Sequence, residues 1–323
     1  MILALVDHDR GQLGELSLQG VAFARHLADQ AGEPLHALVV GRAGAAAATS
    51  LGAYGVGVVH LAVHDQLTDY APAASARAAA ELVGRLGPRA VLGVGDQRGN
   101  EVMAHLGAIT DLPVAADVLS VGLGDPADVV RQRWGGNLIE EAVLHAPVVL
   151  ATVLAHAARA DAPVEAAASV EEFTPELSEG DLLVRVVERM ADAAGGISLT
   201  EAKVIVSGGR GVGGPEGFGM LEELAGLLGG AIGASRVVTS AGWRPQSEQV
   251  GQTGTKVSPD LYIACGISGA SQHLAGMVSS KTVLVINNDA DAPIMAHADY
   301  AVVGDLHTVL PAVIEATRAA RAG

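Results

Sequence analysis

"QVGQTGTKVSPDLYIACGISGASQH", residues 249–273, sets a short apolar run, LYIAC, between two loops made almost entirely of Gly, Ser, Thr and Gln. An apolar run without polar alternation is what a strand buried on both faces requires. A Gly/Ser loop directly after such a strand is where open α/β sheets place their ligands. The stretch therefore predicts a parallel sheet whose carboxyl-end loops enclose something.

The sequence on either side repeats the pattern. Upstream, AKVIVSGGRGVGGPEGFGMLEELAGLLGGAIG reads as strand, Gly-rich turn and helix, and SRVVTSAGW continues the strand series towards LYIACGISG. A helix is expected from about Ser271 to Ser280. KTVLVINND and YAVVGD are the last two strands, and HTVLPAVIEATRAAR is a closing helix. Residues 196–323 thus predict a parallel α/β domain, Rossmann-like in its Gly-rich first turn.

The first half alternates in the same way. MILALVD, LHALVVG, VGVVHLAV and RAVLGVGD are apolar strands, and LSLQGVAFARHLADQAG and PAASARAAAELVGRLG are helices that stop at a Gly. VVRQRWGGNLIEEAVL breaks the alternation as two strands around a turn at Gly135-Gly136, an antiparallel addition. Residues 157–195 turn polar, acidic and Ala/Pro-rich, and read as an extended connector closing an N-terminal domain, 1–195. The fold class is α/β: two domains, each a mostly parallel sheet covered by helices.

Composition removes several function classes. The chain has 323 residues, 20 basic against 36 acidic, for a formal charge of −16. Phosphate backbones demand basic patches, so nucleic acid is disfavoured, as are anionic membrane surfaces. Cys265 is the only cysteine, which precludes an intrachain disulfide and reads as a small core residue. No apolar run approaches a membrane span, and no signal peptide opens the sequence, so a cytoplasmic protein without membrane insertion is expected. The 11 His residues are scattered. His60 and His64 are four apart but flank a strand, so no metal site is expected. No G-x-x-x-x-G-K-[ST], no G-x-S-x-G and no defensible Ser/His/Asp set occurs.

Gly209-Arg210-Gly211-Val212-Gly213-Gly214 fits G-x-G-x-x-G after a strand and before a helix. The acid that would hold an NAD ribose is missing, and Arg236 stands nearby instead. An NADP-binding, transhydrogenase-like domain is therefore one reading, and a plain Gly-rich turn another. Around it, Arg210, Ser235, Arg236, Gln252, Thr253, Ser268, Ser271, Gln272, His273 and Asn287 lie at or just past predicted strand ends. Neutral donors with a few cations and no carboxylates suit a large, neutral-to-anionic cofactor better than proton-transfer catalysis.

VSGGRG (206–211), GASR (233–236), QVGQTG (249–254), YIACGISGASQHLAGM (262–277), KTVLVIN (281–287) and ADYAVVGDL (298–306) together resemble the FAD-binding domain of the electron transfer flavoprotein α subunit, the FixB-like family. Residues 1–190 resemble that family more loosely, in strand order and the RWGGN region. The resemblance implies an electron carrier without substrate-transforming catalysis of its own. It would bind FAD in a heterodimer with a β subunit. It would take electrons from acyl-CoA dehydrogenase-type donors, as in fatty acid β-oxidation, and pass them to a quinone oxidoreductase.

It also implies residue roles. Arg210 would approach the diphosphate. Ser235 would bind the cofactor, with Arg236 against the isoalloxazine. Val250, Gly251, Gln252 and Thr253 would line the flavin, the Thr253 hydroxyl near N5. Ser268, Gly269, Ala270, Ser271, Gln272 and His273 would open a helix towards it, with His273 near O2. Asn287, Asp305 and Leu306 would contact the adenosine half. QVGQTG and SGASQH resemble the one-electron carriers rather than the bifurcating members. Bland alternatives stand beside these roles: a turn for Thr253 and Asn287, a surface ion pair for Arg236, and a helix cap for His273 and Asp305. A third function class, a nucleotide-binding sensory module, would place its ligand on residues 1–190 alone.

Overall fold

The computed structural model describes residues 1–134, 138–188, 198–200 and 202–322. The chain divides into two compact units, Met1–Met190 and Ala191–Gly323.

In the first unit the expected apolar runs are strands β1 (Ile2–Val6), β2 (Leu35–Val40), β3 (Val58–Ala62) and β4 (Ala90–Gly95). They are covered by α1 (Glu15–Ala31), α2 (Ala45–Ser50), α3 (Pro72–Leu86) and α4 (Gln97–Thr110). Val21, Ala24 and Ala28 of α1 face the sheet at helical spacing. Gly32 ends α1 in the left-handed region, at φ 63°. Pro72 stands in the first turn of α3, where its missing N–H matters least.

The remaining strands are β5 (Val114–Gly122), β6 (Ala127–Arg133), β7 (Leu138–Leu144), β8 (Val149–Leu154) and β9 (Ser169–Phe173). The sheet order is β7-β6-β5-β8-β4-β1-β2-β3-β9. β6 pairs antiparallel with both β5 and β7, as the break in alternation predicts. The turn expected at Gly135-Gly136 lies outside the described residues.

The connector expected over 157–195 needs correction where it is described. β9 lies parallel on β3 as an edge strand of the sheet. Glu171 and Glu172 leave that edge charged, which blunts further strand pairing. Arg25 holds Asp161 through Nε and Nη2, at 3.1 and 2.9 Å. Leu182 joins Leu67, Ala71 and Ala74 in a small core. The acidic composition marks an exposed edge, and the segment still follows the sheet.

The second unit is a five-stranded parallel sheet in the order β11-β10-β12-β13-β14. Its strands are β10 (Val204–Gly208), β11 (Ala231–Ala234), β12 (Leu261–Cys265), β13 (Val283–Asn287) and β14 (Tyr300–Val303). The helices are α5 (Phe218–Leu228), α6 (Arg236–Ser240), α7 (Ser271–Met277) and α8 (Leu306–Ala322). One core, with Tyr262, Ala264 and Val285, fills one face; another, with Phe218, Ile263 and Cys265, fills the other. SRVVTSAGW is corrected: the strand is the small AIGA run before it, and Arg236–Ser240 is a short helix that buries Val238 while Val237 stays exposed. No helix among the described residues is long and apolar enough to cross a membrane.

Candidate cofactor cleft

The second sheet starts at β10 and continues with β11 on one side and β12 on the other. That reversal opens a crevice beyond the strand ends. A cleft of about 530 Å³ lies there, within the range of ligand sites. Its walls come from the turn after β10, the start of α6, the loop 249–253 and the loop from β12 into α7.

Close backbone approach builds these walls. Gly266 sits at φ 61°, and a Cβ on it would meet Gly211 Cα at 2.7 Å. A Cβ on Gly276 would meet Gly251 N at 2.3 Å, so α7 packs directly on the flanking loop. Gln252 N–H donates to the Gln272 carbonyl at 2.7 Å, and Val250 N–H to the Ala234 carbonyl at 2.9 Å. Arg244 pins the approach to this loop through Glu248 and Glu222.

The glycine motif works inward. Gly209 N–H donates to the Cys265 carbonyl at 2.9 Å, and Gly211 N–H to the Gly266 carbonyl at 3.0 Å. Those amides tie the turn to β12 and are spent before any pyrophosphate could use them. The Gly-rich turn packs loop on strand, and Gly209 and Arg210 are the parts that line the cleft.

Of the residues singled out in the sequence, Arg210, Ser235, Arg236, Val250, Gly251, Gln252, Thr253, Ser268, Gly269, Ala270, Gln272 and His273 line the cleft. No carboxylate lines it among the described residues. Neither Arg210 nor Arg236 forms an ion pair among the described residues, so both guanidinium groups remain available to an anion. His273 is 6 % exposed. Its Nε2 lies 2.9 Å from the Tyr262 hydroxyl, and its Nδ1 has no well-formed hydrogen bond. Burial lowers its pKa to about 4, against a smaller opposing pull from the Val250 carbonyl, so the imidazole is neutral at pH 7.

Four residues fall outside the cleft. Ser271 stands exposed in the first turn of α7. Asn287 spends its amide on the Ile267 carbonyl, at 2.8 Å, and on Asp289 N–H, at 3.1 Å, and so shapes the cleft loop from behind. Asp305 caps α8 by accepting from His307 N–H at 3.0 Å. Leu306 is buried in the core. Asn287 and Asp305 nevertheless stand at the ends of β13 and β14, on the same carboxyl edge of the sheet.

Gln249 was missed. It is 2 % exposed and lines the cleft. It accepts from Thr239 Oγ1 at 2.6 Å and donates through Nε2 to Thr253 Oγ1 at 3.0 Å. With Gln249 supplying that donor, the Thr253 hydroxyl hydrogen is left to point elsewhere. The available signal was a Gln opening a loop of small residues.

The first unit has its own switch point between β1 and β4, with a cavity of about 110 Å³. Asp96 caps α4 there by accepting from Gly99 N–H at 2.7 Å. A phosphate at that helix start would meet a carboxylate.

The comparisons agree with the architecture. The family model described as "Electron transfer flavoprotein domain" matches residues 2–178, and "Electron transfer flavoprotein FAD-binding domain" matches residues 198–278. The cofactor of the latter domain is FAD. The electron transfer flavoprotein subunit alpha of Mycobacterium leprae is 39 % identical, with 98 % of both chains covered. That of Thermoanaerobacterium thermosaccharolyticum is 35 % identical, covering 97 % of this chain and 96 % of the relative. Protein FixB of Clostridium saccharobutylicum is 34 % identical, covering 97 % and 95 %. Two family domains in order, and relatives matching end to end, place this chain in the electron transfer flavoprotein α-subunit family.

Proposed function

We propose that this chain pairs with a β-type subunit, holds FAD in the cleft of its second unit, and serves as an electron carrier rather than as a catalyst with a substrate of its own. The observation that carries the reading is the donor set of the cleft: two unpaired guanidinium groups, small hydroxyls and a buried imidazole, with no carboxylate among the described residues. Such a set suits a large anionic cofactor, and His273, buried against Tyr262 with its pKa lowered to about 4, is a weak base at pH 7. When bound, FAD supplies one-electron redox chemistry.

The protein's own residues bind and orient. Arg210 is suited to the diphosphate. Ser235 and Arg236, at the end of β11, are suited to the ring system. Thr253, held by Gln249, offers a hydroxyl to the ring edge. Ser268, Gly269, Ala270 and Gln272 form the wall from which His273 meets the ring carbonyl side. Asn287 and Asp305 mark the carboxyl edge along which the adenosine half would run, and Leu306 offers only its backbone there. The donors would be dehydrogenases of the acyl-CoA type and the acceptor a quinone oxidoreductase.

The nicotinamide reading keeps Arg236 but loses the glycine amides, which are already bonded within the protein. Fluorescence titration of the apo-heterodimer tests the choice. Saturable FAD binding, weakened about tenfold or more in Arg210→Ala, supports the proposal. Saturable NADP binding with no FAD response would overturn it.

A further inference from the structure

Three buried polar side chains stand beneath the cleft. Ser207 on β10, Tyr262 on β12 and His273 on α7 are 0, 0 and 6 % exposed. The Tyr262 and His273 rings are tilted by 58°, and the phenol oxygen lies 2.9 Å from Nε2. The Ser207 hydroxyl acts on the phenol without a well-formed hydrogen bond, and His273 Nδ1 lacks one as well.

The proton can sit on either side of this contact, and the surroundings decide where. If Nε2–H donated to the phenol oxygen, the phenol hydrogen would need a second acceptor. Among the described residues, Ser207 is the other hydroxyl at the phenol, and it has no well-formed bond there. That phenol donor would be sealed in the core, at 0 % exposure and off the cleft wall, where no ligand could meet it. If Tyr262 donates to Nε2, the phenol is satisfied. The imidazole hydrogen then sits on Nδ1. There it meets only the Val250 carbonyl, which is poorly aligned for it. Val250 and His273 both line the cleft.

We propose that Tyr262 is a positioning residue that fixes His273 as the Nδ1–H tautomer, so that the histidine presents a hydrogen-bond donor to an acceptor oxygen of the cofactor. This rests on the reading of the cleft as an FAD site. The ligand oxygen takes over a donor that the Val250 carbonyl leaves poorly satisfied. Any negative charge gained by that oxygen strengthens the bond.

The test is a two-bond ¹H–¹⁵N spectrum of histidine-labelled heterodimer at pH 7, with FAD, compared with Tyr262→Phe. The expected wild-type pattern for His273 is a neutral ring protonated at Nδ1. Tyr262→Phe should lose that fixed pattern and bind FAD about tenfold more weakly, while its melting curve remains cooperative. The wild-type spectrum alone decides the tautomer should the variant fail to fold. A wild-type ring protonated at Nε2, or a Phe variant with an unchanged pattern and affinity, overturns the proposal. A heterodimer that shows the Nδ1–H pattern but binds no FAD supports the tautomer and overturns the FAD reading.

Discussion

Gln249 shows what a single side chain contributes to this cleft. Its amide spans Thr239 and Thr253, and its own exposure is negligible. Gln249→Ala removes both bonds and frees the Thr253 hydroxyl to rotate. FAD affinity should fall roughly threefold to tenfold, on the scale of one lost buried hydrogen bond, read by fluorescence titration. Arg236 has no ion-pair partner among the described residues, so Arg236→Ala should leave the fold intact and make the bound flavin harder to reduce. An unchanged midpoint potential would mean that the guanidinium does not act on the ring. At this scale sequence reading is uneven. Arg210, Thr253 and His273 can be placed at the cleft from their loops, while their roles come from the family resemblance alone. Asn287 and Asp305 are not, because an Asn or Asp at a strand end looks the same whether it meets a ligand, pins a loop or caps a helix. Asn287 pins a loop and Asp305 caps α8.

Elements were legible where periodicity was strong. The apolar strands β1 to β4 and the helices closed by Gly32 and Gly87 follow the sequence pattern. β9 was hidden, because an edge strand with Glu at its centre carries no apolar signal. α6 was hidden because Val237 and Val238 favour a strand, while burial of Val238 alone lets one helical turn suffice. The position of β8 between β4 and β5 is set by long-range pairing that local sequence does not express. Loop contacts carry the element-scale prediction. Gly266→Ala would force a Cβ against Gly211 Cα from a left-handed backbone. It should destabilise the protein by about 1–3 kcal/mol and reduce its FAD content. Differential scanning calorimetry and flavin absorbance check both effects.

The whole molecule should be acid-sensitive. Burial holds His273 near pKa 4, below the ordinary histidine value, and lowers His36 and His60, whose rings are bonded at 3.0 Å. Between pH 6.5 and 4 the unfolded chain binds more protons than the native one, so stability falls as pH falls through that window. His273 alone contributes about 3 kcal/mol of this loss. Denaturant unfolding at pH 7 and pH 4.5 should show a smaller pH difference in His273→Gln than in the wild type. An equal difference would mean that His273 is already protonated or exposed in the native state.

That the loops around LYIAC hold a flavin is checked by the absorption spectrum of the chain purified with its β-type partner and reduced stepwise. The expected spectrum has flavin bands that bleach through a distinct one-electron stage. A colourless complex that takes up NADP and no flavin would contradict it.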